Sequence, residues 1–313
     1  KNFDKLELNY FNKKNKLNYI TISKINNKYE LVGENFDGDK LVDNILKKDL
    51  KKSFLKNFKN LNSKIVISLD KIYIGNQSYL KNVQGTLTFK NNKIFSGNIE
   101  SFLNTKNKFS LNIKTDSNNE KVTNLFIQSP EPFITRYNFI RGFKRGSLSY
   151  DSIEKNGLSS SRLKIYDFKI KEVPVLAKIL TLASLQGISD LLKGEGIRVD
   201  EFDMEYENKN NLTTVKEIYA IGPSISLLMD GYIEENKLIS LRGTLVPATT
   251  INKRISKIPL IGNILVGKKA GEGVFGVSFK IKGPPKKLNT TVNPIKSLTP
   301  RFITRTLKKL KGN

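Results

Sequence analysis

Cysteine and histidine are both absent from this chain of 313 residues. Without them the chain cannot build a Ser-His-Asp or Cys-His nucleophile, a Cys/His zinc site, a disulfide or a redox CxxC pair. Any catalysis would therefore depend on carboxylates and lysines.

Long apolar runs are also missing, since no segment reaches the roughly 18 uninterrupted apolar residues that a membrane span needs. The closest stretch, residues 173–192, is interrupted by Pro174, Lys178, Gln186, Gly187 and Asp190. We therefore expect a buried or interfacial helix from Pro174 to Leu192 that ends at Gly194.

Negative charge is scarce, and the formal net charge is +25. Such an excess predicts attraction to an anionic surface, either phosphate-rich lipid or nucleic acid. No helix-turn-helix, zinc-finger or RNP-type aromatic motif is present, and the lysines are scattered over strand exteriors and turns rather than gathered in one stripe. This distribution disfavours specific nucleic-acid binding and leaves an anionic membrane surface as the expected partner.

What the chain has in abundance is alternation with period 2, which is typical of strands with one apolar and one wet face. In residues 108–114, for example, Phe109, Leu111 and Ile113 alternate with polar residues. Short turns rich in Asn, Asp, Gly and Lys separate the runs, at 91–93, 116–119, 208–211 and 235–237. This spacing predicts antiparallel hairpins in sequential order.

Four helices are predicted among the strands. The first covers 39–57 and is amphipathic, with lysines outside. The second follows Pro130, carries Phe133, Ile134, Tyr137 and Ile140, and stops near Gly142. The third is the 174–192 helix, and the last runs from Thr299-Pro300 to about Lys311.

The predicted fold is mainly β: an elongated, twisted antiparallel sheet curved into an apolar groove, with a few amphipathic helices. The alternative is a sandwich or barrel whose faces cover each other, with helices as lids. Alternation does not distinguish the two, because a strand has the same pattern whether its apolar face packs on a core or on lipid. If the face is a groove for acyl chains, the side chains that line it are Leu87, Phe89, Phe109, Leu111, Ile113, Ile225, Leu227, Met229, Ile239, Leu241, Phe275, Val277 and Phe279.

The carboxyl end has the features of a membrane-docking region. Its helix carries an apolar stripe beside a crowd of basic residues, which is typical of a helix lying at an anionic interface, although an ordinary surface helix packed on the sheet has the same pattern. A nearby apolar segment would dip beside it. The predicted membrane contacts are Ile258, Leu260, Ile261, Ile264, Leu265, Val266, Arg301, Phe302, Ile303, Arg305, Leu307, Lys308, Lys309 and Leu310.

An acidic strand offers the one enzyme-like pattern. Alternation puts Glu201, Asp203, Glu205 and Glu207 on one face, where carboxylates could flank a sugar or hold a metal. A solvated face beside many lysines is the expected role. We therefore predict that the protein is not an enzyme and holds no cofactor or metal.

A series of short motifs in one order resembles the C-terminal region of AsmA-like proteins, the region found in YhdP- and TamB-related bacterial envelope proteins. The motifs include Gly146-Ser-Leu-Ser-Tyr150, Val173-Pro174, Ala183-Ser-Leu-Gln-Gly-Ile188, Gly243-Thr-Leu-Val-Pro247, Ile258-Pro-Leu-Ile-Gly262, Gly271-Glu-Gly273 and Val292-Asn-Pro294. They extend over about residues 140–300. The chain then divides into residues 1–145, a β-groove segment with two helices, and residues 146–313, the AsmA-like region that continues the sheet and ends in the basic helix.

The resemblance implies a periplasmic protein that is anchored in the inner membrane by an upstream segment and has no catalytic residues. Its implied function is a bridge-like conduit for phospholipid between the inner and outer membranes, with acyl chains in the apolar groove. The implied partners are phospholipid and an anionic membrane surface. A structural or assembly factor for outer-membrane proteins is the alternative function, and non-specific nucleic-acid binding is the third.

Overall fold

A computed structural model describes residues 4–12, 15–26, 28–39, 61–74, 77–104, 106–136, 141–183, 185–247, 276–285 and 287–295. In this part of the chain there are three short helices: α1 (Glu131–Ile134), α2 (Pro174–Leu182) and α3 (Gln186–Lys193). The strands are β1 (Lys5–Phe11), β2 (Leu17–Ile25), β3 (Lys28–Asp37), β4 (Ser63–Tyr73), β5 (Tyr79–Lys90), β6 (Lys93–Leu103), β7 (Asn107–Thr115), β8 (Lys121–Ile127), β9 (Arg141–Lys155), β10 (Leu158–Lys171), β11 (Ile197–Lys209), β12 (Leu212–Ile221), β13 (Ile225–Glu234), β14 (Leu238–Pro247), β15 (Gly276–Gly283) and β16 (Asn289–Ile295).

The protein is mainly β, and its strands hydrogen-bond in chain order from β1 to β16 in one open, twisted sheet. This confirms the predicted class of fold. One pairing departs from the predicted succession of hairpins, because β3 and β4 run parallel, with Leu31 opposite Ile67. A two-residue turn can join only antiparallel strands, so a parallel pair needs a longer connection. The connection between β3 and β4 includes residues 40–60, which lie outside the described residues.

Asparagine shapes the hairpins. Asn91 and Asn92, which join β5 to β6, have φ of 49° and 61°, and Asn210 and Asn211, which join β11 to β12, have φ of 49° and 66°. Two successive residues of positive φ form the type I′ turn that matches the twist of antiparallel strands. Asparagine tolerates this conformation better than most residues. The turns predicted around residues 91 and 210 are therefore confirmed.

The helices are shorter than predicted. α1 spans four residues, and Gly142, near which it was expected to stop, lies in β9. The single helix predicted over 174–192 is wrong, since α2 ends at Leu182 and α3 begins at Gln186. In one unbroken helix, Leu180 and Leu192 are twelve residues apart, so their side chains would point about 120° apart around the helix axis. The break lets both side chains enter the same core, where each is completely buried. Of the helix predicted over 39–57, all residues after Asp39 lie outside the described residues, as does the whole helix predicted over 299–311.

Two compact units divide the chain: Lys1–Arg136 with Gly146–Ser159, and Tyr137–Arg145 with Ser160–Asn313. In unit 1, a core of Ile20, Leu69, Ile74, Leu80, Val83 and Leu103 packs against Phe133 of α1. In unit 2, α2 and α3 supply Ile179, Leu180 and Leu192 to a core that also contains Ile225, Leu245, Phe279 and Ile281.

Candidate binding surface

One face of unit 1 carries a continuous line of apolar side chains. Residues directly opposite one another on paired strands project from the same face of a sheet. Following these partners from β1 to β9 gives one row, which we call the apolar row: Leu6, Ile22, Leu31, Ile67, Gly85, Ile99, Leu111, Leu125 and Tyr150. At roughly 4.8 Å per strand, nine strands give the row a length of about 38 Å.

The apolar row is not sealed. Leu6 is 40% exposed, and each of the other eight residues is half-buried. The residues of a dry core would be fully buried, as Leu69 and Val83 are at 3% and 2% exposure. Unit 1 thus presents aligned apolar side chains that remain in part accessible to a ligand.

The predicted groove residues of unit 1 lie on or beside this row. Leu111 belongs to it, and Phe109 and Ile113 are two residues away on either side along β7, so they share its face. Leu87 faces Gly97, which in turn faces Ile113. Phe89 lies two residues beyond Leu87 and is 4% exposed, so it is a core residue.

Glycine leaves room on this face. A Cβ added to Gly97 would lie 2.6 Å from Cδ2 of Leu87, so the leucine side chain occupies the space above the glycine. Near the start of β7, Phe109 stacks on Phe133 of α1, with ring centroids 6.0 Å apart. Helix α1 therefore covers one margin of the face, next to the buried core of unit 1.

The predicted groove residues of unit 2 also share one face. Leu227 and Leu245 are opposite each other, as are Leu245 and Val277, and Gly243 separates Met229 from Phe279 in the next row. Helices α2 and α3 pack on this face. The residues of the face in this cluster are either buried, as Ile225, Phe279 and Ile281 are, or half-buried, as Leu227, Met229 and Leu241 are. Val277 is 1% exposed and Ile239 is half-buried. In unit 2 the face serves as core for the two helices.

Two of the four acids on the acidic strand, Glu201 and Asp203, differ from the expectation of a solvated face. Glu201 and Asp203 on β11 are 9% and 2% exposed, and Glu217 on β12 is 5% exposed. Asp203 lies opposite Tyr219, which is itself buried and packs against Leu228 and Val246. Apolar residues of β12 lie on the same face as these acids. This feature of the sequence could have predicted that the acids are buried.

Arg162 compensates the buried charge of Asp203. Its Nε donates to Oδ1 at 2.9 Å and its Nη2 to Oδ2 at 2.6 Å, and Nη1 lies 3.4 Å from Oε1 of Glu205. The hydrogen bond with Asp203 is the main cause that raises the pKa of Arg162 above its ordinary value, against the desolvation that lowers it. Among the described residues, no group of three or more carboxylates is arranged to hold a metal ion.

Phe275 and all the predicted membrane contacts in 258–266 and 301–310 lie outside the described residues. Within the described ranges, no helix is both long enough and apolar enough to cross a bilayer.

None of the protein-family models, the curated proteins or the solved structures compared with this chain matches it.

Proposed function

We propose that this chain carries phospholipid between membranes, with acyl chains lying along the apolar row of unit 1. The observation that supports it is the row itself: nine consecutive strands place apolar side chains or a glycine in register, and none of them is fully buried. A soluble protein normally hides an apolar surface of this extent, and exposed patches of this kind mark binding sites.

The dimensions of the row suit a lipid. Its length of about 38 Å exceeds the thickness of a whole bilayer's hydrocarbon core, about 30 Å. A single acyl chain spans half of that core, so it fits along the row or between two neighbouring rows. Each buried CH₂ contributes about 0.8 kcal/mol, which holds a chain without any specific polar contact. Conduction requires this non-directional binding, because the lipid must slide.

The resemblance to AsmA-like proteins supports the same proposal. It implies a periplasmic protein that is held at the inner membrane by an upstream segment and has no catalytic step. The charge of +25 fits a protein that meets anionic phospholipid surfaces.

Co-purified lipid gives the direct test. Native mass spectrometry of the purified chain should detect bound phospholipid. Leu111→Asp places a charge in the middle of the apolar row and should abolish it, because a carboxylate in contact with acyl chains is costly. Asn112→Asp adds the same charge to the same strand on the opposite face and should leave lipid binding unchanged.

Transfer of fluorescent phospholipid from donor to acceptor vesicles should follow the same order among the variants. Circular dichroism and thermal melting must show that Leu111→Asp is folded, and the milder Leu111→Gln replaces it if it is not. The proposal fails if the unsubstituted chain neither retains nor transfers phospholipid, or if both substitutions act alike.

A further inference from the structure

A second surface of unit 1 combines lysines with aromatic rings. Lys71 on β4 is opposite Lys81 on β5, Lys81 is opposite Phe102 on β6, and Phe102 is opposite Lys108 on β7. In the adjacent row Tyr73 is opposite Tyr79. We call these six residues the basic–aromatic patch. Phe102 and Lys108 are each three residues from members of the apolar row, Ile99 and Leu111, so they lie on the other face of the sheet. The register shifts between Lys81 and Gln84, and beyond this shift Lys81 is opposite Phe102, so Lys81 and its partner Lys71 share the face of Phe102.

The lysines of the patch carry uncompensated charge. In the part of the chain that the structure describes, no carboxylate forms an ion pair with Lys71, Lys81 or Lys108, and the nearby acids Asp70 and Glu100 form none either. Lys71 and Lys81 face each other directly, and like charges in this position destabilise a sheet. An anion placed between them would relieve the repulsion.

The aromatic rings of the patch add apolar surface beside the lysines. Phe102 is 44% exposed between Lys81 and Lys108. Nζ of Lys71 lies 5.0 Å from the ring centroid of Tyr79 and 5.8 Å from that of Tyr73, and Nζ of Lys16 lies 4.2 Å from the Tyr73 ring. Tyrosine and phenylalanine beside lysine are suited to the headgroup level of a membrane, where one end of a side chain is apolar and the other is wet.

We propose that the basic–aromatic patch docks unit 1 on the anionic phospholipid headgroups of a membrane surface. The three lysines bind the phosphates and Phe102 enters the headgroup layer. Single-stranded nucleic acid fits less well, because base stacking needs an open ring face and ammonium groups already lie over Tyr73 and Tyr79. This docking does not depend on lipid conduction, and it is separate from the contacts predicted at the carboxyl end.

A matched pair of triple variants tests the role of the lysines in the full 313-residue chain. Lys71→Gln/Lys81→Gln/Lys108→Gln removes the patch charges. Lys64→Gln/Lys90→Gln/Lys114→Gln removes three lysines from the other ends of the same strands, β4, β5 and β7. Each set includes one lysine over an aromatic ring, since Lys90 lies 3.5 Å from the Phe95 centroid. Both variants therefore lose the same charge and a similar ring contact.

Vesicle co-sedimentation measures the outcome, with vesicles of phosphatidylglycerol and phosphatidylcholine compared with pure phosphatidylcholine. The patch variant should bind the anionic vesicles about 100-fold more weakly, since each basic residue near an anionic leaflet contributes about fivefold. The control variant should lose much less. Equal losses would show that only net charge matters and would overturn the proposal, as would loss of oligonucleotide binding by the patch variant with vesicle binding intact.

The absence of tryptophan from the chain allows a local reporter. Phe102→Trp places a single indole in the patch, and Ile153→Trp places one at a position on β9 that is 49% exposed. Anionic vesicles should shift the Phe102→Trp emission to shorter wavelength and leave the Ile153→Trp emission unchanged. Inorganic phosphate alone should shift neither. No shift at Phe102→Trp in vesicle-bound protein would rule out insertion at the patch.

Discussion

Arg162 on β10 forms a two-point hydrogen bond with Asp203 on β11, joining Nε to Oδ1 and Nη2 to Oδ2. The carboxylate is 2% exposed, whereas the arginine side chain is 42% exposed. The buried member of the pair is thus an anion that depends on a partner reaching in from the surface.

Arg162→Leu should lower the free energy of unfolding by about 2–3 kcal/mol, because it leaves the buried carboxylate of Asp203 without its main charged donor. Chemical denaturation of the full chain measures this. The double variant Arg162→Leu/Asp203→Leu should recover much of the loss, since both charges are then replaced by apolar groups. If the double variant is less stable than Arg162→Leu alone, the pair is not what stabilises this site.

The stabilisation from Arg162 should not depend on pH near neutrality. Its pKa is raised in the folded state, so its contribution is fully present below the ordinary arginine pKa and is lost only as pH rises through the folded value. The stability difference between the unsubstituted chain and Arg162→Leu should therefore stay constant from about pH 7 to about pH 10. A marked decline over this range would contradict the assignment.

Gly85→Ala should destabilise unit 1 strongly. The added Cβ would lie 1.9 Å from the carbonyl oxygen of Asn98 and 2.8 Å from Cα of Ile99, both backbone atoms of the neighbouring strand. We expect a loss of about 3 kcal/mol, at the upper end for overpacking. Gly157→Ala is the control: its φ is +75° and no atom lies within 4 Å, so it adds only backbone strain of about 1 kcal/mol. Equal losses would mean that β5 and β6 are not held in this register.

Phe279→Ala tests whether the apolar face of unit 2 is core. Phe279 is 3% exposed and belongs to the cluster that α2 and α3 cover, so its truncation should cost about 3–5 kcal/mol. Phe102→Ala, at a position 44% exposed, should cost less than about 1 kcal/mol. A small loss for Phe279→Ala would mean that the two helices are not fixed on this face, which would then be open like the apolar row.

Local sequence patterns predicted the strands and many turns well. Phe109, Leu111 and Ile113 share the expected side of β7, and Asn91-Asn92 forms the expected turn, because period-2 alternation and the tolerance of asparagine for positive φ are properties of a few neighbouring residues. Alternation also placed the seven described groove residues of unit 2 on one face. These predictions required no knowledge of what packs above the sheet.

The full extent of the apolar row needed the pairing of strands. Leu6, Ile22, Leu31, Ile67, Ile99 and Leu125 were not among the predicted groove residues, although several lie in alternating runs. Each one enters the row only through the register of its strand against the next. The basic–aromatic patch likewise brings together Lys71 and Lys108, which are far apart in sequence.

The sequence by itself determined the class of fold, the two-sided character of most strands and the absence of thiol and imidazole chemistry. Tertiary structure decided which apolar faces are covered and which acids are buried. Asp203 and Glu207 are equivalent in the alternation of β11, yet Asp203 is buried beside Tyr219 and Glu207 pairs with Lys216 at the surface. Burial depends on what lies above a face, and alternation along a single strand carries no information about that.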